Sequence, residues 1–235
     1  MKNPYKLFIF DLDGTLVNTE ELYVKSLQKA CFKKQFPLDD ETAVKLIYGK
    51  AWSSTYSDLI KLGCDIFESC EDLQKECSVY FDQLIKIENP AIQPSVELLK
   101  NLARNNRVCI VSGSSIKHIA HFIEDLGLST FVEFFLGNEN YLNGKPDPEC
   151  FLLAAETAAV HASECLVFED SFAGVTAAKN AGMDCVGLKS SENPQDISHA
   201  DIVLSCLSHF SPAILAERLK QSKNKGRQYD LQLPS

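Results

Sequence analysis

The sequence has no CxxC pair, and its five histidines form no ligand-spaced cluster with the nine cysteines, which argues against a zinc site. Those cysteines do not make a disulfide framework either. They are odd in number, scattered, and mostly set in apolar context such as Val108–Val111 and Cys165–Phe168, the pattern of reduced, buried thiols. No apolar stretch of signal-peptide length follows MKNPYK, and no run approaches membrane-spanning length, so a cytoplasmic protein with no membrane partner is expected. An excess of positive charge is also missing: 23 Lys and Arg face 32 Asp and Glu, for a net charge of −9. That balance excludes a broad electrostatic grip on nucleic acid or anionic lipid, although a local cation can still reverse the field within one cleft. There is no internal repeat and no low-complexity tract. What is present is a chain of 235 residues, 45% of them hydrophobic, enough for one large α/β domain or two modest ones.

The organising stretch is Leu7–Glu20, LFIFDLDGTLVNTE. A short apolar run stops at Asp11, and Asp13, Gly14 and Thr15 follow. In open α/β sheets ligands sit beyond the carboxyl ends of the strands, so an acid at that point faces a crevice. If the chain stays extended, Asp11 and Asp13 lie on the same side. Gly14 permits a turn or a close backbone approach, and Thr15 offers a hydroxyl and an N–H to an anion. A turn alone would explain the DxDG, so the rest of the chain must decide.

Four helical stretches come next, Thr19–Lys34 with Thr19 as cap, then Asp40–Tyr48, Ser53–Leu62 and Ser69–Ile87, with no β-rich run among them. They predict an all-helical cap domain over residues 19–89, inserted after the first strand and able to act as a lid. Asn89-Pro90 and Gln93-Pro94 bracket the return to the main domain. From there helix and strand alternate: Ser95–Arg104, strand Arg107–Val111, Ser115–Leu126, strand Val132–Leu136, Pro148–Ala159 capped by Asp147, strand Cys165–Phe168, Phe172–Ala181, strand Cys185–Leu188, strand Ile202–Leu204 and helix Pro212–Lys220. This rhythm predicts an α/β core, residues 1–18 and 90–221, with a parallel, Rossmann-like sheet covered by helices on both faces. The tail, 222–235, lacks periodicity and is expected to be frayed.

Each core strand ends in polar residues of a useful type: Asp11 and Asp13; Ser112-Gly113-Ser114-Ser115; Glu169-Asp170-Ser171; and, between them, Gly144-Lys145-Pro146. A parallel sheet brings such ends to one edge, so their coincidence says more than any one of them. The chain resembles the haloacid dehalogenase superfamily of phosphotransferases, whose motifs are a DxDGT segment, a strand-end Ser or Thr, a Lys and an acidic pair. All four are present in order, spread over Lys6 to Leu204.

The resemblance implies hydrolysis of a small phosphorylated metabolite, with Asp11 as nucleophile and Asp13 as general acid/base. The physical reading agrees, since an in-line carboxylate divides one difficult hydrolysis into two easier steps. Gly14, Thr15, Ser112, Gly113 and Lys145 would bind phosphate. Asp11, Asp13 and Asp170 would hold Mg²⁺, with Glu169 ligating directly or through water and Asp13 also through its main-chain carbonyl. His118 and His121, on the helix after Ser112, are assigned to packing or a solvated face. A dehalogenase would lack the second aspartate; a phosphonatase would change that position and need a cap lysine. A β-phosphoglucomutase-like mutase shares all four motifs and remains the alternative, although Tyr23 stands where its cap histidine would fall and Lys50 and Trp52 stand where it has an arginine. A phospho-accepting regulator would have no use for so long an insert. The leaving group is expected to be read near Tyr48–Thr55 and Tyr23, by a monomer or weak dimer.

Overall fold

The computed structural model describes residues 4–50, 52–190, 195–212 and 214–215. It divides into two compact units, Met1–Leu16 with Gln93–Ser235, and Val17–Ile92. The first is built on a six-stranded sheet in the order β3-β2-β1-β4-β5-β6, every pairing parallel. Its strands are β1 (Leu7–Phe10), β2 (Arg107–Val111), β3 (Phe134–Leu136), β4 (Cys165–Glu169), β5 (Asp184–Leu188) and β6 (Ile202–Leu204).

Strand β1 is central because all four of its residues are apolar and fully buried, the requirement for a strand covered on both faces. Alternation divides them. Leu7 and Ile9 share a core with Phe151 and Ala154 of α7 (Glu149–Thr157) and with Val175 and Ala178 of α8 (Phe172–Asn180). Phe8 and Phe10 face the other way, where Phe168 stacks on Phe10 at 4.3 Å between centroids and Phe210 meets Phe168 edge-on at 5.1 Å. Such ring pairs add about 0.5–1.5 kcal/mol beyond the area they bury. α5 (Gln93–Ala103) packs against β2 and the turn at 207–209, and α6 (Ile116–Asp125) against β3.

The second unit holds four helices, α1 (Thr19–Lys33), α2 (Asp40–Ile47), α3 (Trp52–Lys61) and α4 (Cys70–Leu84). They enclose a core of their own, with Leu27 and Cys31 of α1, Leu46 of α2, Leu59 of α3 and Leu73 and Cys77 of α4. Its helix boundaries differ from expectation by up to three residues, most at the end of α4, Leu84 against the expected Ile87. Asn18, not Thr19, caps α1, its side chain accepting the Glu21 N–H. The helix ends at Lys33, followed by Gln35 at φ 66°, and the Phe36 N–H returns to the Cys31 carbonyl. In the first unit α7 starts at Glu149, one residue later than expected, and Asp147 accepts the Glu149 N–H. The expected helix Pro212–Lys220 falls largely, and the tail 222–235 wholly, outside the described residues.

All nine cysteines are free, seven of them buried and two, Cys70 and Cys206, partly exposed. Burial pushes the Cys31, Cys109 and Cys185 thiols well up, and that of Cys77 to about 12. A reagent that attacks thiolates should therefore find almost none inside. Iodoacetamide on the native protein is expected to modify Cys70 and Cys206, and the other seven only after denaturation, as read by peptide mass spectrometry. Native modification at Cys109 or Cys185, both strand residues, would contradict the packing described here.

Candidate active site

The strand order reverses direction at β1: the chain runs outward through β2 and β3, then returns to the other side of β1 as β4. The carboxyl ends of β2, β1 and β4 thus flank a topological switch point, where open α/β sheets bind ligands. Ser112 follows β2, Asp11 follows β1, and Glu169 closes β4. Asp11 is seated by its own N–H, which donates to the Phe168 carbonyl at 2.9 Å, and Ser112 by its N–H to the Leu136 carbonyl at 3.1 Å.

Lys145 binds these strand ends together. Its ammonium lies 2.5 Å from Asp11 Oδ1 and 2.6 Å from Glu169 Oε1, and also reaches the Val111 carbonyl at 3.3 Å. Burial holds the Asp11 carboxyl well above the usual range, Lys145 opposing and the Glu169 and Asp13 carboxylates adding to the rise. For Lys145 burial works against the charge, but Asp11 and Glu169 outweigh it and its pKa lies well above normal. The lysine is therefore a fixed cation.

Glu169 is held on its other oxygen, which accepts the Asp170 and Ser171 N–H groups at 2.9 Å each and the Ser171 hydroxyl at 3.0 Å. Asp170 accepts the hydroxyl of buried Thr15 at 3.2 Å. Two glycines make room for these acids. Gly14 sits at φ +89°, and a Cβ there would lie 2.1 Å from Asp170 Oδ2; a Cβ on Gly174, in the first turn of α8, would lie 1.7 Å from Glu169 Oε1.

Oxygens of buried Asp11, Glu169 and Asp170 lie within 4.8 Å of one another. Three carboxyl groups face one ammonium, and the donors are all hard oxygens. Such a set fits a small dication of the Mg²⁺ class and gives a thiophilic metal nothing to bind.

The Asp13 carboxylate, expected among the metal ligands, lies outside this set. Its Oδ2 accepts the Ser112 hydroxyl at 3.0 Å and the Ser114 hydroxyl at 2.7 Å, and its Oδ1 lies 3.4 Å from His118 Nε2. The reason is local: the chain does not stay extended after β1 but bends at Leu12 and turns through Gly14–Leu16. Gly113 is exposed, and its carbonyl accepts from Asn138. Sequence reasoning passed over Gly174, whose only signal is a glycine inside a helix, and it gave His118 to packing or a solvated face.

A buried acidic cluster with one fixed lysine at the switch point of a parallel sheet defines an α/β enzyme site. The chain belongs to the haloacid dehalogenase-like hydrolases, whose family model matches residues 5–182. It is 31% identical to (DL)-glycerol-3-phosphatase 2 of Arabidopsis thaliana, over 87% of this chain and 88% of that one. Validoxylamine A 7'-phosphate phosphatase of Streptomyces hygroscopicus is 27% identical over 89% of this chain and the whole of its own length. Among solved structures, β-phosphoglucomutase from Clostridium difficile superposes with a TM-score of 0.70 at 25% identity, covering 93% of this chain and 98% of the other.

Proposed function

We propose that this protein is a Mg²⁺-dependent phosphatase that hydrolyses a phosphomonoester of a small metabolite, a sugar phosphate or similar compound, through an aspartyl-phosphate on Asp11. The observation that carries the reading is the position of Asp11: buried, at the end of the central strand, 2.5 Å from a fixed ammonium and within 4.8 Å of two further carboxylates. Rigid placement of this kind suits an in-line nucleophile.

In the first step an Asp11 oxygen attacks phosphorus and the bond from phosphorus to the ester oxygen breaks, Asp13 giving a proton to the departing alcohol. In the second step water attacks the same phosphorus, Asp13 takes its proton, and the acyl-phosphate bond breaks to regenerate the Asp11 carboxylate. Lys145 and Ser112, with the backbone of Gly14, Thr15 and Gly113, are assigned to the phosphoryl oxygens. Asp11 and Asp170, with Glu169 and the Asp13 main-chain carbonyl, are assigned to Mg²⁺. When bound, the ion supplies charge neutralisation to nucleophile and phosphoryl group together.

In this division of labour the core, 1–18 and 90–221, performs the phosphoryl chemistry and the helical insert, 19–89, reads the leaving group, within a cytoplasmic monomer or weak dimer. A mutase that returns the phosphoryl group to a sugar is the second reading. Two observations in the helical unit favour the phosphatase. Lys50, which stands where the mutase has its arginine, is paired with Asp58 at 2.6 Å. Tyr23 is stacked on Phe81 at 4.4 Å and meets Trp52 edge-on.

A panel of glycerol 3-phosphate, pentose and hexose phosphates and 2-phosphoglycolate, with p-nitrophenyl phosphate, tests the reading. Phosphate release is expected with Mg²⁺, to be retained in part with Mn²⁺, and to be inhibited by Ca²⁺, whose looser coordination shell spoils octahedral alignment. Full turnover in excess chelator would refute the metal assignment. Interconversion of hexose 1- and 6-phosphates, with a bisphosphate activator, faster than phosphate release from any monophosphate would establish the mutase instead.

A further inference from the structure

We propose that Ser114 and His118 are positioning residues that aim the Asp13 carboxylate, Ser114 by a hydrogen bond and His118 by the approach of its Nε2. The proposal rests on Asp13 being the acid/base group of the reading above and adds what holds it in place.

The need arises from how Asp13 is carried. Asp11 lies directly at the end of β1 and is seated by a backbone hydrogen bond to β4, but Asp13 lies beyond the bend at Leu12. A side chain beyond the strand end must be aimed by its neighbours if it is to meet a leaving oxygen and later a water at the same point. The neighbours come from the opening of α6. Ser114 donates its hydroxyl to Asp13 Oδ2 at 2.7 Å, shorter than the 3.0 Å bond from Ser112 to the same oxygen. His118 Nε2 stands 3.4 Å from the other oxygen, Oδ1. Ser114 thus holds one carboxylate oxygen by a hydrogen bond, and His118 approaches the other from the same short segment.

That segment is itself fixed. The Ser114 N–H donates to Ser112 Oγ at 3.0 Å, and Ser115 caps α6 by accepting the His118 N–H. Glu139 accepts the Ile116 N–H with both carboxylate oxygens, at 3.1 and 2.9 Å. The His118 ring rests edge-on against buried Phe122 at 4.9 Å between centroids, which sets the direction of its nitrogens. Ser112 has a backbone reason to be where it is, at the end of β2. Ser114, just before the cap of α6, and His118, in its first turn, contribute to the site through Asp13.

The test separates protonation of the leaving group from attack on phosphorus. An aryl ester such as p-nitrophenyl phosphate leaves without a proton, whereas an alkyl phosphate, here the best alkyl substrate of the panel, needs one. His118→Ala is expected to lower kcat on the alkyl phosphate about 10- to 100-fold, part of the range that a positioned acid contributes, with little change in KM. Its rapid burst of nitrophenolate should be retained. His118→Gln, which offers an amide donor near the Nε2 position, should recover most of the loss, and Ser114→Ala should reproduce it. In an Asp13→Asn background, His118→Ala should have no further effect on either substrate. Equal losses on burst and alkyl turnover, failure of His118→Gln to recover, or an undiminished His118 effect in the Asp13→Asn background would overturn the proposal. Undiminished alkyl turnover in Asp13→Asn alone would instead overturn the acid/base reading, a separate result.

Discussion

Asp11→Asn protein, quenched milliseconds after mixing with p-nitrophenyl phosphate, is expected to carry no phosphate. Turnover on any substrate should fall on the order of 10⁴-fold or more, the scale on which enzymes respond to loss of a nucleophile. The substitution changes little else in shape, so the loss measures chemistry. An amide oxygen is a poor nucleophile, and the amide nitrogen would compete with the 2.5 Å contact that Lys145 makes with Asp11 Oδ1. Asp13→Asn should differ in kind: phosphoenzyme should form from the aryl ester and persist, because its breakdown still needs a base. Intact-protein mass spectrometry reads both. A phosphorylated Asp11→Asn protein would move the nucleophile to another residue and with it the whole assignment of roles.

The second large effect is expected at a residue with no polar atoms of its own in the site. Replacing glycine by alanine within a helix ordinarily gains up to about 1 kcal/mol. At Gly174 the sign should reverse. The added methyl would stand 1.7 Å from Glu169 Oε1 and 1.9 Å from its carboxyl carbon, and Glu169 is fully buried with both oxygens engaged. Either α8 shifts or the carboxylate leaves its bonds to Lys145 and to the Asp170 and Ser171 N–H groups. Overpacking of this kind costs about 1–3 kcal/mol, and loss of the Glu169 position should reduce kcat by roughly 10²-fold, as small misplacements in catalytic sites do. Thermal unfolding and steady-state kinetics of Gly174→Ala test both numbers. Shortening the acid in the same molecule, Glu169→Asp with Gly174→Ala, should restore part of the stability because the collision is removed. A single variant more stable than the parent and equally active would show that α8 has slack at this turn.

The sheet was legible because its strands are short apolar runs with polar ends. β2 and β6 fall where the sequence puts them, and β4 and β5 within one residue. Helix boundaries were less so. Asn18 and Thr19 are both capping types in adjacent positions, and only the backbone distinguishes them. In the site, residue types marked Asp11, Lys145, Glu169 and Asp170, and the structure brings those four together. What the sequence could not give was direction. Alternation placed Asp13 beside Asp11 on the assumption of an extended chain, and the bend at Leu12 turns its carboxylate to the serines instead. His118 offered no pattern, since its partner is more than a hundred residues earlier in the chain. Gly174 was silent for a similar reason: its meaning depends on where Glu169 points.

The helical unit can change over time without disturbing the strands that carry the site. Its two ends are held side by side, Val17 bridging Ala91 in antiparallel fashion and the Asn18 N–H donating to the Pro90 carbonyl at 2.8 Å. To the strand-bearing unit the whole excursion is therefore equivalent to a tight turn, whatever lies between those residues. Because loop closure is already satisfied at the neck, length gained or lost inside the excursion adds little entropy cost to the host. The four helices can be exchanged, lengthened or rebuilt as a cassette, while Asp11, Lys145, Glu169 and Asp170 keep their places on strands and loops that the exchange does not touch.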